Sequence, residues 1–377
     1  MEKVACMKNI FYTALLVLVA GCKTATTVGN RMMGPFVKPK ENPILEADSS
    51  YTFNCPVQRK IVKWQLADVF NPAAIVRHDT VFVLFRAEDN PVAGIGGRTS
   101  RIGLAYSTDG LHFTKYPEPV LYPDSSAFMQ YDFPGGCEDP RIVEKEDGGY
   151  VLLYTSWNGD VARLSAATST DLYHWQKQGP VFAKNNGGKY KNVWSKSGSI
   201  VTELNSTTNH IVTKKINGKY WMYYGDKNIY MANSDNLIDW TVLESRDDSY
   251  VTALTPRNKM FDSDLVEPGP PALYTSKGIL LLYNGRNALD TTSDPSLPKG
   301  MYSAGQALFD AASPWKLLRQ TDTCFLKPDL PHETTGQYGA GTTFIEGLVY
   351  FKGKWFLYYG TADSMVGVAV MEADFKL

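Results

Sequence analysis

The sequence has almost no excess charge. Its 377 residues carry 38 Lys and Arg against 39 Asp and Glu, a formal net charge of −1, with no long run of one sign. A nucleic-acid partner or an anionic membrane surface calls for a basic excess, so the balance argues against both. Cysteine is scarce. Of five, Cys6 and Cys22 lie near the N-terminus, and Cys55, Cys137 and Cys324 are widely separated. That spacing offers no disulfide framework and no metal-ligand set, and it leaves room for one disulfide at most. The five His are scattered, and His112 and His174 read as turn residues. Neither a Gly-x-Ser-x-Gly elbow nor a His-Glu-x-x-His motif occurs, so no cofactor or metal is expected. Helical periodicity is weak throughout.

What the sequence has instead is aromatic residues, 12% of the chain, including 22 Tyr and 8 Trp. Such residues favour strands and also stack on sugar rings. At the N-terminus, Lys8 precedes an apolar run from Ile10 to Ala20, which is too short to span a membrane as a helix. With Gly21 and Cys22 following, it reads as a secretory signal over residues 1–22. Val19–Cys22 matches a bacterial lipobox, so lipidation at Cys22 is expected. The chain then reads as an exported lipoprotein, periplasm-facing, outer-membrane or surface-displayed, touching the membrane through that anchor alone. Residues 23–40 are polar and Pro-containing, as a tether is. Residues 41–377 form the expected catalytic domain.

Five apolar, strand-like runs end on an aromatic residue: Val81–Phe85, Tyr150–Tyr154, Tyr220–Tyr224, Ile279–Tyr283 and Trp355–Tyr359. They recur about every 60–75 residues. Each is preceded by a second strand pattern, and most are followed by a third that closes on an aromatic, as in Ser107–Phe113, Ser169–Trp175 and Ser234–Trp240. A repeat of this length with about four strands per unit is a propeller blade. The fold class is therefore all-β, a five-bladed β-propeller. A β-sandwich does not account for five similar units.

A propeller brings the polar ends of its inner strands to one axial pocket. The residues so placed are Arg86 and Glu88 after the first run and Glu138 and Asp139 before the second. Trp157 follows the second run and Asp226 the third. Glu267 precedes the fourth run, Arg286 follows it, and Asp363 follows the fifth. Carboxyls sharing a pocket are the equipment of glycoside cleavage, in which one protonates the leaving oxygen and another activates water or attacks the sugar. Burial and mutual repulsion split their pKa values to suit those roles.

At these residues the chain resembles glycoside hydrolase family 130, the β-mannoside phosphorylases and β-mannosidases. The matching elements are Phe70–Ala74, Phe85–Ala87, Ser100–Ala105, Gly136–Arg141, Ile216–Tyr220, Gly269–Pro271 and Tyr358–Asp363. The Glu138-Asp139-Pro140-Arg141 core is the most specific of them. The resemblance implies a five-bladed propeller and inversion, with Asp139 delivering its proton through a mannose hydroxyl. It also implies mannose contacts from Asn71, Arg86, Arg101, Arg141 and Asp363. Phosphorylases of the family hold phosphate with a basic pair just after the Gly-Lys-Tyr strand, where this chain has Tyr224-Gly225-Asp226. A carboxylate there repels phosphate and suits water, as in the hydrolytic members, although those carry Glu where this chain has the shorter Asp226. Glu267 is then the expected base, with Asp226 helping to hold the water. The substrate expected is a β-mannoside oligosaccharide. The alternatives are a β-mannoside phosphorylase, for which Lys196 and Arg163 are the cations available, and a propeller lectin that binds glycans without cleaving them. Glycoside hydrolase families 43 and 32, also five-bladed, use three axial carboxylates, and the Gly136–Arg141 element does not fit them well.

Overall fold

A computed structural model describes residues 32–94 and 97–372. The Cys22 lipobox and most of the tether segment lie outside them. The described chain is almost entirely strand, with single helical turns at Met129–Asp132, Asn185–Gly188 and Pro331–Glu333.

The five repeats are five antiparallel sheets set around an axis as a β-propeller. Blade one is built on Asp68–Arg77, Thr80–Glu88 and Ser100–Ser107, and blade two on Gly136–Glu144, Tyr150–Trp157 and Ala162–Ser169. Blade three uses Gly198–Leu204, Lys219–Tyr224 and Ile229–Ser234. In blade four the inner strand is split into Leu265–Pro268 and Ala272–Thr275, followed by Gly278–Arg286 and Tyr302–Phe309. Blade five is Thr343–Phe351, Lys354–Thr361 and Met365–Glu372. In each, the apolar run read from the sequence is the second strand, buried on both faces, which is why it reads as continuous rather than alternating hydrophobicity. Phe85, Tyr154, Tyr283 and Tyr359 are all at most 1% exposed, and each such aromatic contributes about 1.5–3 kcal/mol of burial.

The turn after the third strand repeats in chemistry as well as in sequence. Ser107 Oγ accepts from Gly110 N, Ser169 Oγ from Leu172 N and Ser234 Oγ from Leu237 N, each at 2.9 Å. Gly110, Leu172 and Leu237 all take the left-handed conformation, with φ of 79°, 75° and 68°. In blades two and three the strain on leucine is offset by full burial, with Leu172 and Leu237 at most 1% exposed. Tyr hydroxyls then tie one blade to the next. Tyr223 donates to Pro314 O at 2.7 Å and Tyr358 to Gly110 O at 2.9 Å.

Residues 32–40, assigned to the tether on composition, are instead drawn onto the propeller. Val37 and Val370 exchange two backbone hydrogen bonds of 2.8 Å, and Leu45 O accepts from Val366 N at 3.0 Å. Between them the Asn42 side chain donates to Val368 O and accepts from Val368 N, both at 2.8 Å. The N-terminal segment thus covers the outer edge of Met365–Glu372, which as an open edge is exposed to wrong pairing. Polar composition does not betray this, because the bonds are made by backbone and one amide. Asn42→Ala, losing both Asn42 bonds, is expected to destabilise the fold by about 1–3 kcal/mol. Denaturant unfolding checks this, with a lower midpoint and an unchanged slope.

Candidate functional site

Three inner strands carry a bulge at the same end. The register shifts between Phe70 and Pro72, between Glu138 and Arg141, and between Ile345 and Gly347. The residues set free of the ladder are Asn71, Asp139 with Pro140, and Glu346. A bulge re-aims a side chain, and here Asn71 and Asp139 adopt φ of 49° and 48° and turn toward each other. Asn71 Nδ2 donates to Asp139 Oδ1 at 2.8 Å. Gly360 makes room for this, since a Cβ there would lie 2.2 Å from Asn71 Oδ1.

Arg86 is the hub. Its Nη1 donates to Asp139 Oδ1 at 3.1 Å, and its Nη2 to Glu138 Oε1 at 2.9 Å and to Glu88 Oε1 at 2.6 Å. Its Nε donates to Ser100 Oγ and to Glu88 Oε1, both at 3.1 Å. The guanidinium also lies over the Phe70 ring, 4.8 Å from its centroid. Lys196 Nζ approaches Asp139 from the other side, 3.6 Å from Oδ2. Ser197 Oγ donates to Glu267 Oε1.

Most of these groups line one cavity of about 310 Å³, with Glu88, Ser100 and Ser197 just behind its wall. Of the residues expected at the site, Asn71, Arg86, Glu138, Asp139, Trp157, Lys196, Glu267 and Asp363 are all in its wall. Four are not. Arg101 is fully buried elsewhere, paired with Asp89 at 2.9 Å and 3.8 Å from Cys55 Sγ. Strand alternation explains the displacement, because its neighbour Ser100 takes the face toward Arg86. Arg101 therefore makes no sugar contact in this geometry. Arg141 is buried behind the wall, 2.6 Å from Glu346 and donating to Pro268 O and Asp139 O at 3.0 and 3.1 Å. It braces the acidic strand against blades four and five. Asp226 sits at the mouth, accepting from Trp194 Nε1 at 2.8 Å. Arg286 pairs with Asp264 at 2.5 Å.

The sequence reading missed Trp194, Ser197, Tyr302, Tyr338 and Glu346. Trp194 packs edge-on against Trp157, ring centroids 5.9 Å apart, and is 51% exposed. Tyr302 packs against Tyr338 at 5.4 Å on the opposite wall. These residues lie outside the repeated strand ends, or, like Glu346, inside a strand where a bulge is not legible. Cys55, Cys137 and Cys324 are free thiols.

The carboxyls divide sharply. Burial pushes Asp139 up, but Arg86, Lys196 and the Asn71 bond outweigh it and hold it well below the usual carboxylate range. Burial raises Glu267 to about 7, opposed by Lys196 and reinforced by Asp226. Burial likewise raises Asp363 to about 6 and raises Glu138, in each case against the pull of Arg86. Lys196 loses stability as a cation through burial, yet Asp139, Glu138, Glu267 and Asp226 together push its pKa above the ordinary value. The site therefore holds a carboxylate at Asp139 and, near neutrality, a carboxyl at Glu267 ready to gain or lose a proton. Two such groups in one water-accessible cavity can run acid–base chemistry on a bound sugar.

Comparison with known proteins agrees with that chemistry. A family profile described as β-1,4-mannooligosaccharide phosphorylase matches residues 37–375. A 1,2-β-oligomannan phosphorylase of Thermoanaerobacter sp. (strain X514) is 30% identical over 315 residues, 82% of this chain and 92% of that protein. A crystal structure of a putative glycosidase from Bacteroides thetaiotaomicron VPI-5482 is 50% identical, with a TM-score of 0.88 over 90% of this chain and 97% of that one. A second structure comes from work on glycoside hydrolases, within the family of mannoside phosphorylases, that target β-1,2 mannosidic linkages in Candida mannan. It is 45% identical, with a TM-score of 0.90 over 93% of this chain and 97% of that one. With a family match across nearly the whole described fold, and a carboxyl-lined axial cavity to go with it, this chain belongs to glycoside hydrolase family 130, whose enzymes act on mannosides.

Proposed function

We propose that the protein is an inverting, exo-acting β-mannosidase that hydrolyses β-1,2-linked mannosides. Asp139 is the general acid, working through a sugar hydroxyl, and Glu267 is the base that activates water, with Asp226 supporting it at the mouth. The choice of water over phosphate rests on the charge lining the cavity. Four carboxyls, from Glu138, Asp139, Glu267 and Asp363, face two cations, Arg86 and Lys196. Arg86 is already shared among three carboxylates. Lys196 is drawn toward Asp139. Arg163 turns away, its Nη2 donating to Asn192 Oδ1 at 3.1 Å and its guanidinium over the Tyr131 ring. An entering phosphate dianion meets like charge worth roughly 1–4 kcal/mol per contact, and no cation is left uncommitted in the wall to offset it.

Three further observations support the reading. The relatives at 45–50% identity are described as a glycosidase or in work on hydrolases, while the phosphorylase is 30% identical. The cavity is at the small end for a ligand site, which suits a terminal sugar. Export as a lipoprotein, if Val19–Cys22 is the lipobox it resembles, would remove the benefit of making a sugar phosphate, which serves metabolism inside the cell.

The proton inventory constrains the mechanism. The competent form carries a proton on Asp139 and none on Glu267, whereas the ligand-free site favours the reverse. A bound sugar that displaces water and takes over hydrogen bonds from Arg86 and Asn71 weakens what keeps Asp139 ionised, and the proton moves to it.

With β-1,2-mannobiose, free mannose is the expected product with or without phosphate. Mannose 1-phosphate formed only when phosphate is present contradicts the proposal. Asp139→Asn and Glu267→Gln are each expected to lower kcat by at least about 100-fold. A near-wild-type rate in either removes that residue from its role. Because the proton that Asp139 needs is the one Glu267 holds in the ligand-free site, kcat/KM is expected to fall as pH increases through about 7. A profile that rises through that region contradicts the assignment.

A further inference from the structure

One tetrapeptide touches all three carboxyls assigned to the reaction. Trp194 Nε1 donates to Asp226 at 2.8 Å, Lys196 lies 3.6 Å from Asp139, and Ser197 donates to Glu267. The segment runs from blade two into Gly198–Leu204, the inner strand of blade three. It is pinned on both sides. Ser195 N donates to Ala162 O at 3.0 Å, and Ser195 Oγ accepts from Leu164 N at 3.0 Å, both on blade two. Lys196 O accepts from Gly225 N at 2.9 Å, at the end of the blade-three strand that precedes Asp226. The tetrapeptide therefore bridges the two blades that flank the catalytic cluster.

Its conformation is specific to that task. Ser197 is 1% exposed and has φ of 47°. A non-glycine residue seldom takes this region, and it does so at a cost when the surroundings demand it. Here the conformation lets successive side chains leave in different directions, with Ser197 toward Glu267 while Lys196 faces Asp139. Charged and titratable groups also face Glu267 from neighbouring elements: Lys196 and Asp226, Arg141, Glu346 and Tyr302. These act through their charge at a distance. Ser197 adds a directional bond that fixes which carboxylate lone pairs remain for water.

We infer that Trp194–Ser197 is a positioning element that sets the three carboxyls relative to one another, with Ser197 orienting Glu267 and Trp194 orienting Asp226. The inference rests on the reading that these carboxyls carry the reaction. It makes Ser197 and Trp194 positioning residues rather than catalytic ones. The Trp194 ring, half exposed at the mouth, stays available to the sugar beyond the scissile bond while its Nε1 is committed to Asp226.

The test compares Ser197→Ala and Trp194→Phe with Glu267→Gln in the full chain, measuring kcat and KM on β-1,2-mannobiose from about pH 5 to 9. Ser197→Ala is expected to lower kcat about 10- to 100-fold, the worth of a hydrogen bond to a charged group. KM should change less than about threefold. The fall of kcat/KM should also move to higher pH, because the lost bond favoured the carboxylate form of Glu267. Trp194→Phe keeps the ring at an exposed site, so the fold is not at risk. It is expected to lower kcat and to be non-additive with Asp226→Asn. If Glu267→Gln is inactive while both positioning variants keep the wild-type rate and pH profile, the inference falls and the carboxyl assignment stands. A rate loss in Ser197→Ala with an unmoved pH profile also overturns it, leaving Ser197 a purely structural residue. Activity in Glu267→Gln overturns the underlying reading instead.

Discussion

The site depends on one buried guanidinium. Arg86 reaches Glu88, Glu138 and Asp139 with its planar fork, and no other cation in the cavity engages three carboxylates at once. Burying three carboxylates without such a partner costs several kcal/mol each. Lysine in its place would present a point charge and lose the divergent geometry that serves two blades at once. The same interaction sets Asp139 apart from Glu267. Asp139 lies within reach of Arg86 and stays ionised, whereas Glu267 lies outside that reach and feels burial most. Two chemically similar side chains thereby acquire different protonation in one cavity, the condition for dividing acid and base roles.

The fold supplies what Arg86 alone does not. Bulges at the same end of three inner strands free Asn71, Asp139 and Glu346 from the ladder and bring them toward the axis. Arg141, fully enclosed, braces blade two against blades four and five, so the bulged strand cannot relax outward. At the perimeter the N-terminal segment covers the last strand. Rigid placement matters because a small displacement of a proton-transferring group lowers rate steeply. On this frame the proposed preference for water rests on charge: Asp226 adds a further carboxylate close to Lys196 and Glu267.

The architecture was legible because it repeats. Five doubly buried strands leave five apolar runs closed by an aromatic, and that pattern survives any variation in the loops. Arg86 was legible because it directly follows the first run, and Glu138, Asp139 and Glu267 because they lie on the strands that precede the second and fourth. Arg101 was misplaced for a reason the same logic contains: strand alternation sends neighbouring residues to opposite faces, and the phase of one strand is not fixed by composition. Ser197 and Trp194 were invisible, since a left-handed serine and an indole at a blade junction carry no periodic signal. Glu346 was hidden by its bulge. The segment 32–40 was read as tether because backbone pairing leaves no mark on side-chain chemistry.

The central proposal is that water, activated by Glu267, displaces the leaving sugar with inversion at the anomeric carbon. Hydrolysis of β-1,2-mannobiose in ¹⁸O-labelled water, followed by NMR and mass spectrometry before mutarotation, tests it directly. The account predicts α-mannose as the first-formed product of the non-reducing sugar, carrying one solvent oxygen at its anomeric carbon. Label-free mannose 1-phosphate as the sole product, or β-mannose formed first, contradicts it.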